Sequence, residues 1–283
     1  ATLRKIALFT NVETEAVFTS YDVTTTIYEI PLVFYEQKLD QVILKKLNVE
    51  SRHADLSAWK TMMDQFNARK GSVRIGIVGK YMDLHDAYKS VYEALFHAGL
   101  SCGVAVELVK IDSSRLEGDS DPDQILGKDL SGGPLDGILV PGGFGQRGIN
   151  GMVKAAQWAR THGVPYFGIC LGHQLLARAI GADTGKLKFG HRGGNHPVKD
   201  LRTGQVSITA QNHGFYVDGA TLPVSNEWEV ALVNLNDRSV EGLRHSSLPI
   251  ISVQFHPEAS PGPWDSSSLF DDFLNMVRTR KAA

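Results

Sequence analysis

Cysteine is scarce in this chain. Two residues, Cys102 and Cys170, in 283 are too few for a disulfide framework, so a reducing, cytoplasmic setting is expected. No apolar run reaches the ~20 residues of a membrane span, and the opening Ala1-Thr2-Leu3-Arg4-Lys5 is not a signal-peptide pattern. Neither sign of charge dominates: 29 basic and 31 acidic residues leave −2, which gives no electrostatic reason to expect nucleic acid or an anionic membrane as partner. No G-x-x-x-x-G-K-[ST] loop occurs, so the chain shows no ATP-binding loop of its own and no resident cofactor is expected. Ten histidines invite a search for a metal, but His191, His196 and His213 lack acidic or cysteine companions at ligand spacing, and no metal site is expected. What remains is 42% apolar and 21% charged, enough for a substantial core in one large or two small domains.

Chemistry is concentrated at Pro165-Tyr166-Phe167-Gly168-Ile169-Cys170-Leu171-Gly172-His173-Gln174. Residues 164–169 read as a short buried strand, and 175–180 repeat apolar residues at helical spacing, so Cys170 falls where a strand turns sharply into a helix. Gly168 and Gly172 flank it as in a nucleophile elbow, supplying backbone freedom and clearance. The free N–H groups at the start of that helix favour a thiolate and offer donors to an oxyanion. A base is needed, and Gln254-Phe255-His256-Pro257-Glu258 supplies one at the end of a strand over 250–255. Pro257 keeps His256 extended. Residues two apart then point the same way, so Glu258 can hold the far nitrogen of the imidazole. Gly143-Phe144-Gly145-Gln146-Arg147-Gly148 matches a dinucleotide fingerprint, but it is not in the domain's first strand-helix unit, and no acid for a ribose follows the next strand. The Gly143 N–H instead joins the Leu171 N–H as the two donors of an oxyanion hole.

From residue 73 onward strands and helices alternate: strand 73–78, helix 86–98, strand 104–111, a Gly-, Asp- and Ser-rich loop 113–133, strand 135–140, helix 149–161, then the elbow. Such alternation predicts an α/β fold, a mostly parallel sheet flanked by helices with ligands at the carboxyl ends of its strands. The C-terminal part is strand-rich, over 186–189, 205–210, 229–235 and 250–255, and closes with a helix near 266–278. Cys102 is placed in a helix-to-strand connection.

Gly168-Ile169-Cys170-Leu171-Gly172 with His256-Pro257-Glu258 resembles the class I glutamine amidotransferases, whose Cys-His-Glu triad hydrolyses the side-chain amide of L-glutamine and passes ammonia to a synthetase. The resemblance implies a class I glutaminase, flavodoxin-like fold over residues 73–283. It divides between two families. Residues 1 to about 167 resemble CTP synthase, through Lys5-Ile6-Ala7-Leu8-Phe9, Val78-Gly79-Lys80-Tyr81, Asp86-Ala87-Tyr88-Lys89-Ser90-Val91 and Pro141-Gly142-Gly143-Phe144-Gly145. Residues from about 168 to 283 resemble the carbamoyl phosphate synthetase small subunit, through Gly172-His173-Gln174, Lys188-Phe189-Gly190-His191-Arg192-Gly193-Gly194-Asn195-His196-Pro197-Val198-Lys199, Gln211-Asn212-His213-Gly214-Phe215 and His256-Pro257-Glu258-Ala259-Ser260-Pro261-Gly262-Pro263. The chain resembles a chimera.

That resemblance implies a glutamine pocket of Gly143, Leu171, Gln174, Asn212, Gly214 and Phe215. The glutamate that CTP synthase places after the elbow helix is missing, since the region reads Gly190-His191-Arg192-Gly193-Gly194. Residues 1–50 are expected to begin with an apolar strand and to be a remnant of the CTP synthase synthetase domain, with 51–72 a linker holding a short helix near 57–66. Lys5, Asp22 and Val23 match positions lining that family's nucleotide sites, although Tyr21 stands where a basic residue is usual. ATP and Mg are expected only on a synthetase part lying outside this chain. The expected activity is glutamine hydrolysis, most readily for CTP synthesis from UTP. Ammonia supply for carbamoyl phosphate, another γ-glutamyl substrate, or a catalytically idle docking module are the alternatives. Alone, the chain is expected to release glutamate and free ammonia but neither CTP nor carbamoyl phosphate. Whether it forms an oligomer stays open.

Overall fold

A computed structural model describes residues 2–50, 53–84, 86–128, 132–225, 227–259 and 265–282, so Ser260-Pro261-Gly262-Pro263 and part of the expected linker and loop lie outside the described residues. The chain divides into two compact units, Ala1–Arg69 and Lys70–Ala283.

The first unit is helical: α1 (Thr2–Thr10), α2 (Ile30–Glu36), α3 (Leu39–Lys46) and α4 (Ser57–Ala68). The strand expected at its start is a helix instead. Leu3, Ile6, Ala7 and Thr10 recur at helical spacing, and Thr10 Oγ1 bonds the Ile6 carbonyl 2.7 Å away, so the apolar run 6–9 belongs to a helix rather than to a period of two. Lys38, at φ 62, separates α2 from α3, and the ring centroids of Trp59 on α4 and Tyr28 lie 6.1 Å apart. The segment 51–72 spans the boundary between the two units. Lys5 and Asp22 are exposed and Val23 is half-buried, all within this first unit.

The second unit begins with β1 (Ser72–Gly79), α5 (Lys89–Cys102), β2 (Ala105–Asp112), β3 (Gly137–Val140), α6 (Ile149–Thr161), β4 (Tyr166–Ile169) and α7 (Leu171–Ala179). It continues with β5 (Thr184–Asp200), β6 (Val206–Val217), β7 (Trp228–Asn234), β8 (Val240–His245), β9 (Ile250–Val253) and α8 (Ser268–Ala282). The strand order is β2-β1-β3-β4-β9-β8-β6-β5-β7, with β7 also pairing β8. The first five run parallel and the rest antiparallel, as the alternating and then strand-rich sequence predicts. Parallel strands covered on both faces read as continuous apolar runs, and β3, β4 and β9 are buried at every residue.

Alternate residues serve opposite faces. Ile75, Ile77, Leu139, Phe167 and Val253 pack with Leu95 of α5 and Phe273 and Val277 of α8. Val78, Ile138, Val140 and Tyr166 pack with Met152 and Ala155 of α6 and Leu176 of α7. Each fully buried Ile or Val contributes ~1.5–3 kcal/mol, and these two layers hold the strand ends in register. Val140 is opposite Gly168 and Ile169 is opposite Val253. The chain following β3, β4 and β9 therefore leaves the sheet at one edge, and the site lies there.

Several element boundaries differ from the sequence reading. The β5–β6 hairpin is longer because Gly190 and Gly193, at φ 72 and 107, sit at register irregularities within the ladder, where glycine absorbs a bulge. Strand β8 is absent from the sequence reading because Val-Glu-Gly-Leu-Arg-His shows no apolar alternation, yet Glu241 on it is fully buried. The loop 113–133 contains a helical turn at Ser113–Leu116 and a wider one at Asp123–Lys128. Cys102 is the last residue of α5, not part of a connection.

Candidate active site

Cys170 joins β4 to α7 with φ 53 and ψ −100, a region that costs a side-chain-bearing residue of order 1–3 kcal/mol. The positive φ thus sits on the cysteine itself. Gly168 and Gly172 supply clearance rather than the conformational freedom expected of them. A Cβ on Gly172 would strike the Val140 carbonyl oxygen, and one on Gly168 would lie 2.7 Å from the Gly172 carbonyl oxygen. The close fit of β3, β4 and α7 presses the thiol out at the sheet edge while leaving it 6% exposed. Leu171 opens α7, so its N–H has no partner within the helix.

His256 follows β9, and its N–H bonds the Ala210 carbonyl at 2.9 Å. Residues 256–259 form a turn closed by the Ala259 N–H on the His256 carbonyl, 3.2 Å, rather than the extended chain expected from Pro257. The expected pairing is nevertheless present: His256 Nδ1 lies 2.8 Å from Glu258 Oε1. Burial opposes charge on this imidazole. Hydrogen bonding to Cys170, then to Glu258, outweighs that cost and raises its pKa from the ordinary 6.5 to about 10. Gly142 lets the two groups meet, since a Cβ there would lie 2.8 Å from His256 Cε1 and 3.5 Å from Cys170 Cβ.

Two cavities share the thiol. One, of about 620 Å³, is lined by Cys170 and by Gly143, Leu171, Gln174, Asn212, Gly214 and Phe215, so all six expected pocket residues come together. The other, of about 530 Å³, adds His256, Glu258, Tyr81 and Gly193. Gln174 Nε2 donates to the Phe215 carbonyl and to Gln254 Oε1, both at 3.1 Å, which fixes the side-chain amide against the cavity wall. Gln254 is fully buried. In the sequence its only signal is its position two residues before His256, which assigns it no role.

Behind the pocket runs a buried polar chain that sequence reasoning also missed. His213 bridges the Phe215 carbonyl at 2.6 Å and Gln211 Oε1 at 2.9 Å. Gln211 donates to Glu241 at 2.9 Å, and His191 lies 2.8 Å from Asp237 and 3.5 Å from Glu241. Ligand atoms of His191, His213 and Glu241 fall within 4.8 Å of one another, so these histidines do have an acidic companion, brought by the unrecognised β8. Through Gln211 and His213 these contacts tie the 211–215 segment to Glu241 on β8.

Residues 83–276 match the family model described as glutamine amidotransferase class-I, and residues 1–49 match that of the CTP synthase N-terminus. The chain is 53% identical over 146 residues to the carbamoyl phosphate synthase small chain of Akkermansia muciniphila, covering 52% of this chain and 39% of that protein. It is 49% identical over 170 residues to the CTP synthase of Oleidesulfovibrio alaskensis, covering 60% and 30% respectively. It therefore spans well under half the length of these relatives. The glutaminase domain of Trypanosoma brucei CTPS with bound acivicin superposes with a TM-score of 0.60 at 26% identity, over 73% of this chain and 94% of that one. Among the described residues no helix is long and apolar enough to cross a membrane.

Proposed function

The chain belongs to the class I glutamine amidotransferases, and we propose that it hydrolyses L-glutamine to glutamate and ammonia as the glutaminase component of such an enzyme. The observation that carries this reading is the 2.8 Å His256–Glu258 pair set against a strained, buried elbow thiol. Cys170 thiolate adds to the amide carbon of glutamine, and the Gly143 and Leu171 N–H groups receive the oxyanion. Imidazolium His256 gives its proton to the amide nitrogen, the C–N bond breaks, and ammonia leaves a thioester. Neutral His256 then takes a proton from water as the oxygen attacks. Collapse of the second oxyanion expels the thiolate and yields glutamate.

We take the ammonia acceptor to be a synthetase that converts UTP to CTP, using ATP and Mg on its own domain. The match of residues 1–49 to a CTP synthase N-terminus supports this choice. In that setting Lys5, Asp22 and Val23 would serve the synthetase side. The 53% identity to a carbamoyl phosphate synthase small chain, together with Gln174 and Asn212, favours carbamoyl phosphate as the second reading.

Glutamate release from pure protein, alone and with each synthetase added, tests both readings. Cys170→Ala should abolish release without unfolding the chain. A thiol electrophile should label Cys170 ahead of Cys102, whose thiol pKa is pushed up by burial and then by Asp271. Equal labelling of the two thiols in native protein, or undiminished release by Cys170→Ala, refutes the glutaminase reading.

A further inference from the structure

Lys80 follows β1 and is 2% exposed, an expensive place for an ammonium. Its Nζ donates to the carbonyl oxygens of Phe144, at 3.2 Å, and Gly145. The backbone of Lys80 is itself pinned, its N–H on Tyr88 Oη at 3.0 Å and its carbonyl under the Arg147 guanidinium. Next to it, Tyr81 Oη accepts from the Phe144 N–H and donates to the Phe144 carbonyl, both at 3.2 Å. Four bonds from two consecutive residues thus grip the loop that carries Gly143.

The loop needs such a grip. Gly142, Gly143 and Gly145 leave its peptides free to rotate, Gly145 stands at φ +77, and Phe144 is 70% exposed, so its side chain does not anchor the 142–145 stretch. An oxyanion donor stabilises a transition state only when it is already aimed. With the Phe144 N–H taken by Tyr81, the Gly143 N–H is the donor this loop offers to join that of Leu171 beside Cys170.

We propose that Lys80 and Tyr81 are positioning residues that preform the oxyanion loop, holding the 143–145 peptides so that the Gly143 N–H faces the reacting carbonyl. This rests on the glutaminase reading, and its test separates the two.

Lys80→Met keeps the stem and removes the donors. It should lower kcat for glutamine by ~10²-fold, the order lost with one oxyanion donor, with KM changed less than about threefold because Lys80 itself lines neither cavity. Alkylation of Cys170 by iodoacetamide forms no oxyanion and should keep its wild-type rate. Amide hydrogen exchange over residues 141–148 should quicken whether or not the protein turns over. Tyr81→Phe, a milder change that also serves should Lys80→Met fail to fold, should lower kcat roughly three- to tenfold, and Lys80→Arg should restore part of the loss. An unchanged exchange rate over 141–148 overturns the proposal independently of any glutaminase activity. So does unaltered kcat in both Lys80→Met and Tyr81→Phe, or a fall in alkylation as large as the fall in kcat. A wild-type chain silent on glutamine speaks against the glutaminase reading and leaves exchange as the deciding measurement for the loop.

Discussion

Glu258→Gln keeps the shape of a side chain and deletes its charge. Glu258 Oε1 lies 2.8 Å from His256 Nδ1 with the carboxylate side chain 8% exposed, a charged hydrogen bond of the kind worth ~1.5–3 kcal/mol. An amide preserves that bond only by presenting its carbonyl oxygen. Its NH₂ group then falls where Oε2 sits, buried and without a partner among the described residues, at a cost of ~1–3 kcal/mol. The opposite orientation donates to Nδ1 and forces the proton onto the nitrogen that must accept one. Either outcome removes ~1.5–3 kcal/mol from the transition state, a ~10- to 150-fold fall in kcat. His256→Ala deletes the acid and base itself and should cost ~10⁴-fold or more.

The pH profile gives a second reading of the same bond. His256 stands at about 10 when folded against an ordinary 6.5. The stabilisation from its charging is therefore complete below 6.5 and is lost as pH rises through about 10. Since 1.36 kcal/mol corresponds to one pKa unit, Glu258→Gln should bring the alkaline limb of kcat down by ~1–2 units. Steady-state glutamate release from pH 6 to 10 measures both effects. Equal kcat for Glu258→Gln and His256→Ala, or an alkaline limb that does not move, refutes the orienting role given to Glu258.

Two further substitutions probe the frame around the thiol. Gly172→Ala drives a methyl group into the Val140 carbonyl, a backbone atom that cannot swing aside, and should lower unfolding stability by ~1–3 kcal/mol; a denaturant midpoint equal to that of the parent would show that the packing is looser than described. Gln254→Leu removes the acceptor that holds Gln174, so KM for glutamine should rise ~10-fold with a smaller change in kcat. A kcat effect without a KM effect would mean that Gln174 does not serve the ground-state complex.

The parallel core and the elbow were legible because they obey local rules: buried runs such as Ile138–Val140 and Tyr166–Ile169, and a cysteine spaced between two glycines. The His256–Glu258 pairing was legible as well, although for a different geometric reason, since a turn rather than an extended chain brings the carboxylate round. What sequence could not deliver was non-local. Glu241 lies in a polar hexapeptide that becomes a strand only because β7 and β9 flank it, and Gln254 gains its role only when α7 packs over β9. At the N-terminus the difference is local: the apolar run 6–9 is too short to distinguish a period of two from the helix α1 that it forms.

The change of resemblance near residue 167 falls within β4, the fourth of the five parallel strands and an interior strand of the sheet. On one side β4 pairs with β3, from the CTP-synthase-like stretch, and on the other with β9, from the carbamoyl-phosphate-synthase-like stretch. The two stretches are joined there by main-chain hydrogen bonds, which do not depend on side-chain identity, and by the close packing of Gly168 and Gly172 at the elbow. The groups of the site then lie on both sides of the seam. Lys80, Tyr81 and Gly143 lie in the CTP-synthase-like stretch, and Cys170, His256, Glu258 and the remaining pocket residues in the carbamoyl-phosphate-synthase-like one. The cleft thus depends on the main-chain geometry of three adjacent strands, β3, β4 and β9, and stretches of unlike resemblance meet in it without a break in the ladder.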